Sequence, residues 1–212
     1  MIVYGNQLSP FVRKVLAFAA EKGQAVELVA AGMGGGPPEF FKASPFGKMP
    51  GFQDGDFLIS DSTAIVAYLE AVKPDPNLIP AEPKARARTI WYEEYADTVL
   101  VECVGKIFFN RVVAPKFLGQ AGDLAAADAA QQDLVPRVTD YLEGVVPPSG
   151  FLVEDRITLA DIAVATQFQN LALGGCPIDA ARHPKTAAYV NAILARPSFS
   201  GLVAQDRAML GL

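Results

Sequence analysis

Lys73-Pro74-Asp75-Pro76-Asn77-Leu78-Ile79-Pro80-Ala81-Glu82-Pro83 is the stretch on which the fold turns. Four prolines in eleven residues suppress helix and strand alike and predict a stiff linker over 74–84. The texture of the chain changes across it, from short elements of mixed period upstream to helical periods downstream.

Upstream, Ile2 to Tyr4 is a brief β-rich run, and Val12, Val15, Leu16 and Ala19 follow at helical spacing. Pro10 suits the first turn of that helix and Gly23 its C′ position. Ala25 to Ala30 reads as a second strand, which completes a right-handed βαβ unit. Gly32 to Pro38 is Gly/Pro-rich and predicts a loop. Asp54-Gly55, between Phe52 and Phe57-Leu58-Ile59, is a hairpin signal. Ser60-Asp61-Ser62 then offers N-cap residues to a helix with Ile65, Tyr68, Leu69 and Val72 on one face. Residues 1–73 are therefore a small α/β domain.

Downstream, Trp91, Tyr95, Val99 and Cys103 form a four-residue row of one long helix. Leu134, Val138 and Leu142 mark another. Thr158-Leu159-Ala160-Asp161 is a capping box, with Ile157 and Ile162 placed as a hydrophobic staple. Residues 85–212 are expected to be an all-α domain.

The whole chain has 212 residues with 51% hydrophobic and 19% charged side chains, so it can fold on its own core without metal or disulfide staples. A net charge of -5, with no run of three Lys or Arg, argues against nucleic acid as a partner. One His and two Cys cannot build a His-based zinc site or a disulfide framework. No apolar run approaches the ~18 residues of a membrane span, and the start of the chain lacks the pattern of a signal peptide. A cytoplasmic protein with reduced Cys103 and Cys176 is the expectation; Cys103 reads as core, and Cys176, in a Gly-rich loop, as exposed. His183, before Pro184, reads as a helix-start residue.

The layout βαβ-ββα, proline-rich linker and all-helical domain resembles the cytosolic glutathione transferases, whose first domain is thioredoxin-like. Five motifs carry the resemblance in order along the chain: Ser9-Pro10-Phe11-Val12-Arg13-Lys14-Val15, Ser44-Pro45-Phe46-Gly47-Lys48-Met49-Pro50, Asp61-Ser62, Thr158 to Asp161, and Arg196-Pro197-Ser198-Phe199. The first is similar to the turn of the serine-type members, the second to the run into the family's cis-proline. The resemblance implies glutathione as cosubstrate, no metal, a homodimer, and conjugation of the glutathione thiolate to small hydrophobic electrophiles, with peroxide reduction as a second reaction. Two alternatives share these residues: a non-catalytic ligand-binding or assembly module, and a glutathione-dependent isomerase or reductive dehalogenase.

The implied glutathione contacts are Ser9, Phe11, Lys48, Met49, Pro50, Asp61 and Ser62. Ser9 stands where unpaired N–H groups and the helix dipole favour an anion. A thiol of pKa ~8.5 is about 3% ionised at pH 7, and a two-unit shift requires about 2.7 kcal/mol. The helix end supplies ~0.3–2 kcal/mol and a hydroxyl donating to the sulfur roughly 1.5–3 kcal/mol. Without the resemblance, Ser9 reads as an N-cap. Tyr4 is the rival hydroxyl, and Asn6 a further donor in the same loop. Asp61 and Ser62 suit the α-amino and carboxylate groups of the γ-glutamyl end; Met49 suits main-chain pairing with the peptide; Lys48 suits the glycine carboxylate. Gly34-Gly35-Gly36 stands where many relatives carry a cation, which leaves that role to Lys48 or Lys42 and predicts weak affinity. Phe108, Phe109, Arg111 and Phe117 are the expected electrophile pocket.

Overall fold

The computed structural model describes residues 1–33 and 35–212. Two compact units divide the chain: Met1–Ala81 together with Pro197–Leu212, and Glu82–Arg196.

In the first unit the order is β1 (Ile2–Gly5), α1 (Pro10–Glu21), β2 (Glu27–Ala30), α2 (Pro38–Ala43), β3 (Gly51–Asp54), β4 (Phe57–Ser60) and α3 (Ser62–Val72). The sheet runs β2-β1-β3-β4, with β1 and β2 parallel and the other pairs antiparallel. This is a thioredoxin-like sheet. Pro10 opens α1, and Gly23, at φ +61°, closes it in the left-handed region that glycine adopts without a Cβ penalty. The hairpin turns at Gly55-Asp56 rather than Asp54-Gly55, because Asp54 is still paired with Phe57. Helix α2 has no counterpart in the sequence reading: six residues are too few to display a period, and Pro38 at its first turn reads equally well as loop.

The proline-rich stretch is packed rather than free. Leu78 and Ile79 are buried, and the Glu70 carboxylate accepts the main-chain N–H groups of both, at 3.1 and 3.3 Å. Lys22 holds the other side, with Nζ 2.6 Å from both Glu70 Oε2 and the Pro76 carbonyl. Along the chain the division into units falls between Ala81 and Glu82, and α4 already starts at Pro83, inside the predicted linker.

The last helix, α10 (Pro197–Leu210), belongs to the first unit, although sequence alone groups it with residues 85–212. Its docking includes polar contacts. Ser198 donates to Glu21 at 2.5 Å, and the buried Asp206 pairs with the buried Arg13 of α1 at 2.7 Å. Burial pulls the Arg13 guanidinium below its usual range, while the Asp206 carboxylate beside it opposes that shift.

The second unit is helical throughout: α4 (Pro83–Glu94), α5 (Val101–Phe108), α6 (Ala114–Phe117), α7 (Leu124–Val145), α8 (Leu159–Leu173) and α9 (Pro184–Leu194). Helices α4, α5 and α6 follow one another without a break, through wide π-helical turns at Tyr95–Leu100 and Phe109–Val113. The first of these turns falls within the expected row, whose members do not share one environment. Tyr95 and Cys103 are buried, whereas Trp91 and Val99 are 51% and 49% exposed.

Helix α8 is buried along nearly its whole length. Its first turn carries Asp161, whose carboxylate accepts four hydrogen bonds. These come from the main chain of Leu152 (2.9 Å) and Thr158 (2.9 Å) and from the hydroxyls of Thr158 (3.1 Å) and Tyr189 (3.2 Å). His183 caps the start of α9 and lies 2.6 Å from Asp140, as a helix-start residue should. No helix among the described residues is long and apolar enough to cross a membrane.

Candidate functional site

The register of the sheet gathers the candidate residues at one end. Tyr4 pairs with Gly51, Gly51 with Ser60, and Tyr4 with Val29 on the other side. The segments that leave this row are Asn6–Ser9 after β1, residues 31–33 after β2, Met49-Pro50 before β3, and Asp61-Ser62 after β4. They all emerge at the same edge, although up to fifty-odd residues separate them in sequence. Met49 links three of them: its Sδ lies 3.4 Å from the Asn6 N–H, and a Cβ at Gly32 would fall 2.9 Å from its Cε.

Ser9 occupies the N-cap of α1 in extended conformation, with Pro10 at the first helical position. Its main chain is held on both sides, the N–H by the Asn6 carbonyl at 2.9 Å and the C=O by the Arg13 N–H at 3.0 Å. Its hydroxyl makes no capping bond to the helix. Ser9 is partly exposed, and among the described residues its Oγ stands at the helix N-terminus without a cap bond.

The rival hydroxyl is spent. Tyr4 is buried and donates to Gln53 Oε1, and its pKa is raised, chiefly by burial. The partner could have been read from the sheet, because Gln53 lies diagonal to Tyr4 across the antiparallel β1–β3 pair. Sequence reasoning missed Gln53 because register is a property of the assembled sheet. Asn6 is likewise engaged, its Oδ1 accepting the Leu8 N–H at 2.9 Å in a local turn.

The Met49-Pro50 bond is cis, and neither the N–H nor the C=O of Met49 pairs with another main-chain group among the described residues. Lys48 is exposed beside it, in a loop closed by a 2.6 Å bond from the Ser44 hydroxyl to the Lys48 carbonyl. Lys42, the other candidate cation, is 3.8 Å from Glu39. Phe11 is partly exposed, with the Lys14 ammonium 6.0 Å from its ring centroid.

Asp61 caps α3, its Oδ1 accepting from Thr63 at 2.9 Å and Ala64 at 3.1 Å, and Ser62 is buried behind it. Asp61 has φ +80° and ψ 125°, a conformation costly for a residue with a side chain. Of the triple glycine, Gly34 lies outside the described residues; Gly32 and Gly35 exchange both main-chain hydrogen bonds, at 2.8 and 2.9 Å.

The four residues expected to line an electrophile pocket do not share one environment. Phe108 is buried in the helical core. Arg111 is engaged by the Gly174 carbonyl at 3.1 Å and by Asp128 at 2.8 Å. Phe109 and Phe117 alone present substantial surface. Neither thiol is poised for chemistry: Cys103 donates to the Leu100 carbonyl at 3.0 Å and is pushed up to about 11 by burial, and Cys176 is buried rather than exposed.

Residues 3–77 match the family described as the glutathione S-transferase N-terminal domain, and residues 108–205 match its C-terminal domain. The chain is 31% identical over 207 residues to a glutathione S-transferase of Hyoscyamus muticus, an alignment covering 94% of this chain and 96% of the relative. The chain belongs to the glutathione S-transferase family. It is also 30% identical over 211 residues to glutathione S-transferase 3 of Zea mays, covering 95% of this chain and 92% of that one. A solved glutathione S-transferase of Rhodospirillum rubrum F11 superposes with a TM-score of 0.86 at 26% identity, covering 95% of this chain and 90% of the other. Within this glutathione S-transferase chain the N-terminal match contains Ser9, Met49, Asp61 and Ser62. Helix α4 and most of α5 lie outside both matches.

Proposed function

We propose that the protein is a glutathione transferase that ionises the thiol of bound glutathione at Ser9 and directs it at small hydrophobic electrophiles. The observation that carries this reading is the Ser9 hydroxyl at the head of α1, which among the described residues makes no cap bond, while the Tyr4 hydroxyl is committed to Gln53. Oγ donates to the sulfur, the helix end adds its positive potential, and the thiol proton leaves to solvent. The thiolate then attacks the electrophilic carbon; the C–S bond forms as the leaving group departs with its electron pair. No protein base is required, in keeping with a chain that has a single histidine engaged by Asp140.

The cosubstrate is held along the edge where the four segments emerge. Asp61 and Ser62 take the γ-glutamyl end, the main chain of Met49 pairs with the central cysteinyl unit, and Lys48 takes the glycine carboxylate. The conformational cost stored at Asp61 supports the assignment, since strained residues cluster at ligand clamps. Phe109 and Phe117 are the apolar contacts offered to the electrophile.

Calorimetric titration with glutathione, followed by ultraviolet titration of the bound thiolate, tests the reading. Saturable binding with a thiol pKa below that of free glutathione is expected. No binding at millimolar glutathione leaves a ligand-binding or assembly module as the function. Product identity across conjugating, peroxide, isomerising and dehalogenating substrates separates the reactions that share the thiolate.

The protein acts as a cytoplasmic homodimer in this reading. Phe46 supports it: the ring is 90% exposed at the tip of the Ser44–Lys48 loop, an unusual place for a large apolar side chain. Sedimentation of the wild type is expected to give twice the 22.5 kDa chain mass, and Phe46→Ser is expected to move it toward the single chain. A wild type that sediments at 22.5 kDa contradicts the dimer.

A further inference from the structure

Gln7 sits in the turn between Asn6 and Ser9, where a polar side chain would ordinarily be solvated, yet it is buried. Its Nε2 donates to the Leu202 carbonyl at 2.8 Å and to Asp206 Oδ1 at 2.9 Å, both on α10. The other oxygen of the same carboxylate, Oδ2, accepts from Arg13 Nε at 2.9 Å and lies 2.7 Å from Arg13 Nη2. One buried carboxylate therefore grips the chain two residues before Ser9 and four residues after it. Arg13 is also the residue whose main-chain N–H holds the Ser9 carbonyl.

We infer that Gln7 and Asp206 are positioning residues for the activating hydroxyl, through which the C-terminal helix holds the Asn6–Ser9 turn in register with the thiol. The inference rests on the proposed role of Ser9. A fully buried ion pair is weak as a source of stability, because an apolar pair of the same volume often does as well or better. What the ionic arrangement adds is direction. The Arg13 Nε–H and one Gln7 amide hydrogen approach the two oxygens of the carboxylate along defined lines, and the second amide hydrogen meets the Leu202 carbonyl, so they fix the turn on both sides of Ser9. A hydroxyl that must meet a thiolate has to be held to within ~0.5 Å. In this reading α10, at the far end of the chain, joins the first unit because the site is built against it.

Asp206→Asn would leave Arg13 buried without its counter-charge and is a poor probe, since the variant can simply fail to fold. Gln7→Met keeps the volume and the ion pair and removes only the grip on the turn. Its bound glutathione is expected to show a raised thiol pKa, with thiolate at pH 7 lowered about 3- to 10-fold, as for one weakened charged hydrogen bond. The kcat–pH profile should move to higher pH while KM for glutathione stays within about twofold, as for a loss felt mainly in activation. Asn77→Ala, which removes a 3.1 Å bond to Glu70 elsewhere in the first unit, is the stability control and should not move the thiol pKa.

Ser9→Ala is measured in parallel. If both Ser9→Ala and Gln7→Met raise the thiol pKa, the inference holds. If Ser9→Ala raises it and Gln7→Met does not, or Asn77→Ala raises it equally, the inference falls and the Ser9 reading stands. If Ser9→Ala leaves the thiol unchanged, the Ser9 reading falls and the inference falls with it.

Discussion

Ser9→Ala is expected to lower conjugating activity at pH 7 by about 10- to 100-fold, the equivalent of losing a hydrogen bond to a charged sulfur worth roughly 1.5–3 kcal/mol. The loss should be concentrated below the new thiol pKa and should shrink as pH rises, because a thiol ionised by solvent no longer needs the donor. Stability supplies a second signature. A serine that caps a helix costs ~1 kcal/mol when replaced by alanine. The Ser9 hydroxyl makes no such bond, so the thermal midpoint should barely move. Ser9→Thr keeps a hydroxyl and should retain most of the activity. Full activity in Ser9→Ala with loss in Tyr4→Phe would transfer the role to Tyr4, against its burial and its bond to Gln53.

The largest stability effect is expected at Asp161. Replacing it with alanine strips the acceptor from two buried main-chain N–H groups and two buried hydroxyls at once. These donors belong to the segment before α8, to its N-cap and to α9, so the loss loosens three parts of the helical unit together. Unsatisfied buried donors cost ~1–3 kcal/mol each. With partial relaxation we expect about 3–5 kcal/mol, or a thermal midpoint lower by about 6–20 °C for a chain of this size. A midpoint within about 2 °C of the wild type, an effect of under ~1 kcal/mol, would show that the four bonds add nothing.

The same carboxylate gives the effect a pH dependence. Burial pushes Asp161 up to about 6, against the four donors that favour its anion. The folded state therefore takes up this proton before the unfolded chain does. Stability from this group is fully present below the unfolded value near 3.8 and is lost as pH rises through about 6. The midpoint gap between wild type and Asp161→Ala should widen as pH is lowered from 7 toward 4.

Much of this was legible in the residues themselves. Pro10 and Gly23 bracket α1 because each is suited to one end of a helix and to little else. The Thr158–Asp161 spacing announces α8 because a capping box works only at that separation. The proline run announces a change of architecture, since no regular element tolerates that density. The five ordered motifs then place the chain among glutathione transferases, as the family matches show.

What the residues alone left open had a common cause: it depended on neighbours distant in the chain. Ser9 leads and Tyr4 is its rival in sequence, but that the Tyr4 hydroxyl is bonded to Gln53 is visible only in the β1–β3 register, which sets the two residues diagonally across the pair. Arg111 reads as a pocket residue in sequence, and its bonds to Asp128 and to the Gly174 carbonyl are visible only in the assembled helices. Trp91, Tyr95, Val99 and Cys103 read as one row because that spacing assumes 3.6 residues per turn, and the π-helical stretch Tyr95–Leu100 departs from that period within the row. Helix α10 carries no mark of the unit it joins; Asp206 becomes meaningful only once Arg13 and Gln7 face it. Sequence by itself determined most of the elements, the change of architecture at the proline run and the family, because caps, periods and proline density act over a few residues. Tertiary structure decided which polar groups are spent and which are free, because a hydrogen bond is settled by whatever atom packing brings within about 3 Å.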